Sequence, residues 1–216
     1  MALLNISWRT LTEISPQAAT TGEDTDAAPE AGAAMRATRP MIVYVPSDDP
    51  TDKTTRKLEQ VVFKNEKLGV GAKFFDTIKI SAGDALQDRI LKEKNRVPRM
   101  VFLKRDYTVH AVLQQRQLTP GKIVKAMKSL VKVEYVNGFD SMVKDYIKLL
   151  NELDRLEGRK TQLADTRARL AGKPNASKAK KLARMEAEYK AERDAWVAKE
   201  KQILALQTKD QQPSET

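Results

Sequence analysis

Cysteine is absent from the 216 residues of this chain, histidine occurs once, and aromatic residues make up only 6%. Without a thiol there is no disulfide, no thiolate metal site and no thiol nucleophile. A lone His110 leaves zinc without a ligand set. Long apolar runs are missing too: no window approaches the roughly 18 apolar residues of a membrane-spanning helix. The opening MALLNISWRTLTEISP has neither the basic start nor the continuous apolar stretch of a secretory leader. These absences predict a soluble, cytoplasmic protein with no membrane insertion, in which the sequons at Asn5 and Asn175 are chance matches. What is abundant is charge, with 39 Lys and Arg against 29 Asp and Glu and a net +10.

Composition divides the chain. Residues 16 to 40 are rich in Ala, Thr, Pro, Gly and acid, without an aromatic or an apolar period, and read as a flexible linker. Ahead of it, residues 1 to 15 crowd Leu4, Ile6, Trp8 and Leu11 into a short apolar segment whose spacing suits a helix or a strand. Such a segment either docks on a partner, as a peptide that folds on binding, or packs back onto its own domain.

Residues 41 to 135 read as β-α-β-α-β-β-α. MIVYV (41 to 45) is a buried strand, and the helix after it, to about Asn65, carries Leu58, Val61 and Val62 on one side. A strand within AKFFDTIKI (72 to 80) precedes a helix opening at Asp84 with Leu86, Ile90 and Leu91. PRMVFLK (98 to 104) and the run around His110 form a hairpin turning at Arg105-Asp106, and Thr119-Pro120 opens the last helix. The alternation predicts an α/β domain with a mixed sheet, a parallel pair plus an antiparallel hairpin, and helices on both faces.

This order, with Val97-Pro98 directly before the hairpin, resembles the thioredoxin-like fold family over about 95 residues. An ungapped match lays the family's C-x-x-C tetrapeptide on Pro50, Thr51, Asp52 and Lys53, and its cis-proline on Pro98. VFLKRD then falls on the following strand and turn, and LTPGKIVKAM on the start of the final helix. The departure is decisive for chemistry, since neither Pro50 nor Lys53 can form a thiolate or resolve a mixed disulfide. The resemblance therefore implies a redox-inactive member, with a cis bond at Val97-Pro98 and a protein-binding groove between Pro50, Thr51, Asp52 and Lys53 on one side and Val97 and Pro98 on the other.

From residue 138 to 207 the period lengthens. Met142, Tyr146, Leu149, Leu153, Leu156, Lys160, Leu163, Arg167 and Leu170 alternate steps of four and three. A Gly-Lys-Pro-Asn break follows, and then Leu182, Met185, Tyr189, Glu192, Trp196, Lys199, Ile203 and Leu206 repeat the spacing. Two long helices joined this tightly predict a C-terminal antiparallel helical hairpin, a coiled coil on the order of 45 Å long at 1.5 Å per residue. The polar positions Lys160, Arg167, Glu192 and Lys199 suggest an under-packed seam that a second copy or a partner helix would cover. Residues 208 to 216 read as a disordered tail.

Charge is uneven: residues 41 to 135 hold nineteen basic and eleven acidic side chains, and the hairpin tip holds Arg167, Arg169, Lys173, Lys178, Lys180, Lys181 and Arg184 with no acid between Thr166 and Met185. The tip is either a solvated end or a phosphate-seeking pole. Catalytic candidates are weak. His110 has no nucleophile beside it, Ser47 and Tyr44 suit structural roles, and Gly69-Val70-Gly71 lacks the context of a nucleotide loop. Asp48, Asp49 and Asp52 could form a hard-cation site, but Asp-Asp-Pro-Thr-Asp is also what a turn and helix start look like, and no metal is expected there. The expectation is a non-enzymatic scaffold or adaptor without a cofactor or small-molecule substrate, whose partners are other protein subunits or a second copy. The alternative is a nucleic-acid or ribosome-associated factor using the basic tip.

Overall fold

The computed structural model describes residues 6–10, 37–92, 96–172 and 176–209. It divides into two units, residues 2–139 with 207–216, and residues 140–206.

The first unit is α/β. Its strands are β1 (Arg9–Thr10), β2 (Met41–Val45), β3 (Asp76–Lys79), β4 (Arg99–Leu103) and β5 (Val109–Gln114), in the spatial order β1-β3-β2-β4-β5. β3 runs parallel to both β1 and β2, while β4 is antiparallel to β2 and β5 to β4, so the sheet is mixed. Every residue of MIVYV is buried, as expected of a central strand covered on both sides. One face packs Val43, Val45, Ile78, Val101 and Leu103 against Ala85 of α3 (Ala82–Gln87) and against Leu91. The helices α2 (Glu66–Ala72) and α4 (Pro120–Glu134) pack against each other, and α4 also contacts β4 and β5.

Several local expectations shift. The helix after β2 is α1 (Lys53–Lys57) continued by a widened π turn, Leu58–Val62, closed by Phe63 N–H to Leu58 O at 2.9 Å. The wider turn buries Leu58 with Val62 and carries Val61 to the surface. A further helix, α2, stands between the expected helix and strand and takes Ala72 from the strand window, because the Asn65 side chain accepts from Leu68 N–H and caps it. Gly69 and Gly71 are therefore helix residues, and Gly71 lets the ring of Phe139 approach closely. The helix α3 starts at Ala82, capped by Ser81, and is cut short where the Asp88 carboxylate takes the amides of Ile90 and Leu91. Leu86 is exposed, and Ala85 is its buried residue.

The ends of this unit are tied down further than composition implies. Ile6 is buried, Thr77 Oγ1 donates to Ser7 O, and β1 adds a fifth strand to the sheet. Trp8 lies 5.4 Å from Tyr44 and 5.3 Å from Phe63, ring centre to ring centre. Residues 6–10 thus sit on their own domain, while Leu4 and Leu11 lie outside the described residues. Pro40 is buried and Ala37 N–H reaches Arg105 O at 2.8 Å, so order begins before residue 41. Thr208 is also buried and bridges Tyr135, which removes residues 208 and 209 from the expected tail.

The second unit is the expected helical pair, α5 (Phe139–Gly172) and α6 (Ala176–Leu204). Trp196 Nε1 donates to Leu149 O at 2.8 Å and Tyr146 Oη to Glu200 at 2.7 Å, which fixes the two helices antiparallel. The polar seam residues are matched. Arg167 pairs with Glu186, Glu192 with Arg159 and Lys199 with Glu152 across the hairpin, and Lys160 pairs with Glu157 within α5. The polar positions are ion-paired but remain largely exposed.

Candidate functional site

The turn leaving β2 is built from short polar side chains that satisfy its backbone. Asp49 Oδ1 accepts from Thr51 N–H at 2.8 Å and from the Thr51 hydroxyl at 2.7 Å, and Asp52 N–H reaches Asp49 O at 3.1 Å. Asp52 then caps α1. Its two oxygens take the amides of Thr54 (3.3 Å) and Thr55 (2.8 Å) and the Thr55 hydroxyl (2.6 Å). The Thr55 hydroxyl, followed by these amides, holds the Asp52 carboxyl below the usual carboxylate range, and Thr51 does the same for Asp49. Asp48 accepts from Ala82 N–H at 3.3 Å. Each of the three acids thus serves its own backbone group, and among the described residues no cluster of three or more His, Cys, Asp or Glu is placed to hold a metal ion.

Opposite this turn stands Val97-Pro98, a cis peptide bond. Pro98 O accepts from Gln115 N–H at 3.1 Å, which fastens the start of β4 to the turn that ends β5. Gln115 has φ +46°, the left-handed region that a non-glycine residue occupies only when its surroundings impose it. From there a short 3-10 turn, Gln115–Gln117, leads to Leu118 and into α4.

These pieces enclose a cavity of about 590 Å³. Of the residues singled out by sequence, Asp52, Lys53, Val97 and Pro98 line it together, while Pro50 and Thr51 lie in the adjoining turn without lining it. Leu58, Val62, Leu118 and Pro120 supply further apolar lining. The polar margin has Lys53 and Lys57 on α1 and Arg116 on the 3-10 turn, all exposed. Among the described residues none of these three charged heads takes part in an ion pair or hydrogen bond. Sequence reading missed Lys57, Leu58, Val62 and the whole Gln115–Pro120 wall. The visible signal was the Arg99↔Gln114 pairing implied by a hairpin, which brings whatever follows β5 beside whatever precedes β4.

The remaining candidates lie elsewhere. Tyr44 is buried beside Trp8 and Phe63, burial pushes its phenol well above the usual value, and Ser47 Oγ accepts from Asp49 N–H at 3.2 Å. His110 Nε2 is 2.9 Å from Ser129 Oγ, and burial lowers its pKa. At the hairpin tip Arg167 and Arg184 pair with Glu186 and Glu188 and are exposed, as are Arg169, Lys178, Lys180 and Lys181, and Lys173 lies outside the described residues.

Fold and site together define an α/β domain with a mixed five-stranded sheet and a surface groove, followed by a helical pair. No protein-family model matches the chain, and no curated protein matches it. Among the described residues no helix is long and apolar enough to cross a membrane.

Proposed function

We propose that this chain is a non-catalytic adaptor, a redox-inactive thioredoxin-like domain that holds a segment of another protein in its groove and carries a coiled-coil arm. The observation that carries the reading is the composition of the groove. Among the described residues its lining has apolar side chains and unengaged cations but no thiol, and its one carboxylate is committed to the start of α1. A lining of this composition favours binding over covalent chemistry. The strand order and the alternation of strands and helices support the thioredoxin-like reading. Pairing between β4 and β5 begins at Arg99, so Val97 lies outside that ladder, beside the groove, where an extended segment would run.

The test is an unbiased displayed-peptide library selected on the full chain, with Thr119→Trp as the blocking variant. Thr119 is exposed, lines the groove and makes no capping bond to α4, so an indole there fills the site without removing a structural contact. Selected peptides should lose binding to Thr119→Trp, and a disulfide-reductase assay should give no rate above buffer. Peptides that ignore Thr119→Trp, or turnover in the assay, would refute the reading.

A further inference from the structure

We infer that the groove selects an acidic segment of its partner, an extended stretch in which Asp or Glu residues flank an aliphatic side chain. This rests on the binding reading above and adds the chemistry of the ligand. Leu58, Val62 and Leu118, themselves nearly buried, form the apolar floor beneath the half-exposed Val97 and Pro120, a seat for one aliphatic side chain. Around it three of the four charged side chains are cations, and they stand on two sides. Lys53 and Lys57 are four residues apart on one helical stretch, hence neighbours along one wall, and Arg116 stands on the opposite wall. Among the described residues the one acid in the lining, Asp52, directs both oxygens to Thr54 and Thr55, and the three cations leave the lining with a net positive charge.

The surrounding composition acts in the same direction, because residues 41 to 135 carry nineteen basic against eleven acidic side chains. A field of that sign draws acidic segments in and turns basic ones away. Nucleic acid is the poorer fit. A single strand is held by aromatic faces on which its bases stack, and none of the described residues lining this cavity is aromatic.

The experiment uses the full chain and three fluorescein-labelled synthetic peptides of equal length built around the same Leu-Val pair, flanked by Glu and Asp, by Lys and Arg, or by Ser and Gln. Anisotropy is read at low and high NaCl. The acidic peptide should bind at least about tenfold tighter than the uncharged one and weaken steeply with salt, as exposed charge pairs do. Lys53→Glu/Lys57→Glu/Arg116→Glu should cost the acidic peptide tenfold or more and raise affinity for the basic one. If that triple variant does not melt cooperatively, Lys57→Gln/Arg116→Gln should cost the acidic peptide a smaller, measurable factor. Acidic-peptide binding indifferent to both variants would overturn the inference. So would tighter binding of the uncharged or basic peptide sensitive to Thr119→Trp, which leaves the groove itself standing. Displacement of the acidic peptide by a lower concentration of a poly-uridine oligonucleotide would overturn it in favour of nucleic acid. Failure of all three peptides, together with a library that selects nothing sensitive to Thr119→Trp, would instead remove the binding reading.

Discussion

The Asp52 carboxylate accepts both the amide and the hydroxyl of Thr55, at 2.8 and 2.6 Å, so one side chain ends the turn after β2 and begins α1 at the margin of the groove. Because the folded state favours the ionised form, this contribution is present at neutral pH and is lost as pH falls through the lowered pKa of the carboxyl. Asp52→Ala should cost about 1 kcal/mol near pH 7, the usual worth of an N-cap, and progressively less below about pH 4. Denaturant titrations of both proteins across that range read the difference directly. A penalty as large at pH 2.5 as at pH 7 would contradict the charge-assisted cap.

Gly71 tests packing against propensity. Alanine at an interior helix position gains about 1 kcal/mol over glycine. A Cβ at Gly71, however, would stand 2.6 Å from Phe139 Cζ, and Phe139 is itself buried. Over-packing of this kind costs roughly 1–3 kcal/mol, so Gly71→Ala should lower stability, and adding Phe139→Leu should recover part of the loss. A rise in melting temperature for Gly71→Ala alone would show that the ring moves aside freely.

Trp8 joins residues 6–10 to the domain through Tyr44 and Phe63, whose own rings meet edge to face at 5.0 Å. Trp8→Ala should cost about 1–2 kcal/mol, appropriate to a half-buried aromatic that loses two ring contacts. It should also speed amide exchange in Arg9–Thr10 far more than in β2. Equal protection of Arg9 and Thr10 in wild type and variant would place the anchor elsewhere.

Trp196 combines volume with a hydrogen bond in the helical pair, donating to Leu149 O. Trp196→Ala should cost about 3 kcal/mol, whereas Trp196→Phe, which keeps most of the ring, should cost about 1 kcal/mol. Urea unfolding followed by helical circular dichroism separates the two, and equal losses would mean that the hydrogen bond outweighs the packing.

Periodicity and composition alone determined much of this protein. The continuous apolar run MIVYV, Thr119-Pro120 at a helix start and the sustained three-four spacing beyond residue 138 are local signals, and β2, α4, α5 and α6 follow them. The absence of cysteine settled thiol chemistry without any structure. Tertiary structure decided the rest, because it depends on groups distant in sequence. Whether Ile6 and Trp8 served a partner or their own sheet turned on an edge of β3 being open to a short parallel strand, which no local pattern encodes. The polar seam positions became ion pairs only once the antiparallel register set Arg159 against Glu192 and Lys199 against Glu152. The groove shows the same division. One wall was legible as the turn after the first central strand, but Arg116 and Leu118 face it only because β5 returns beside β4 and delivers the next turn to Pro98. Helices and buried strands form from neighbours along the chain, whereas a binding surface forms from residues that only long-range pairing brings together.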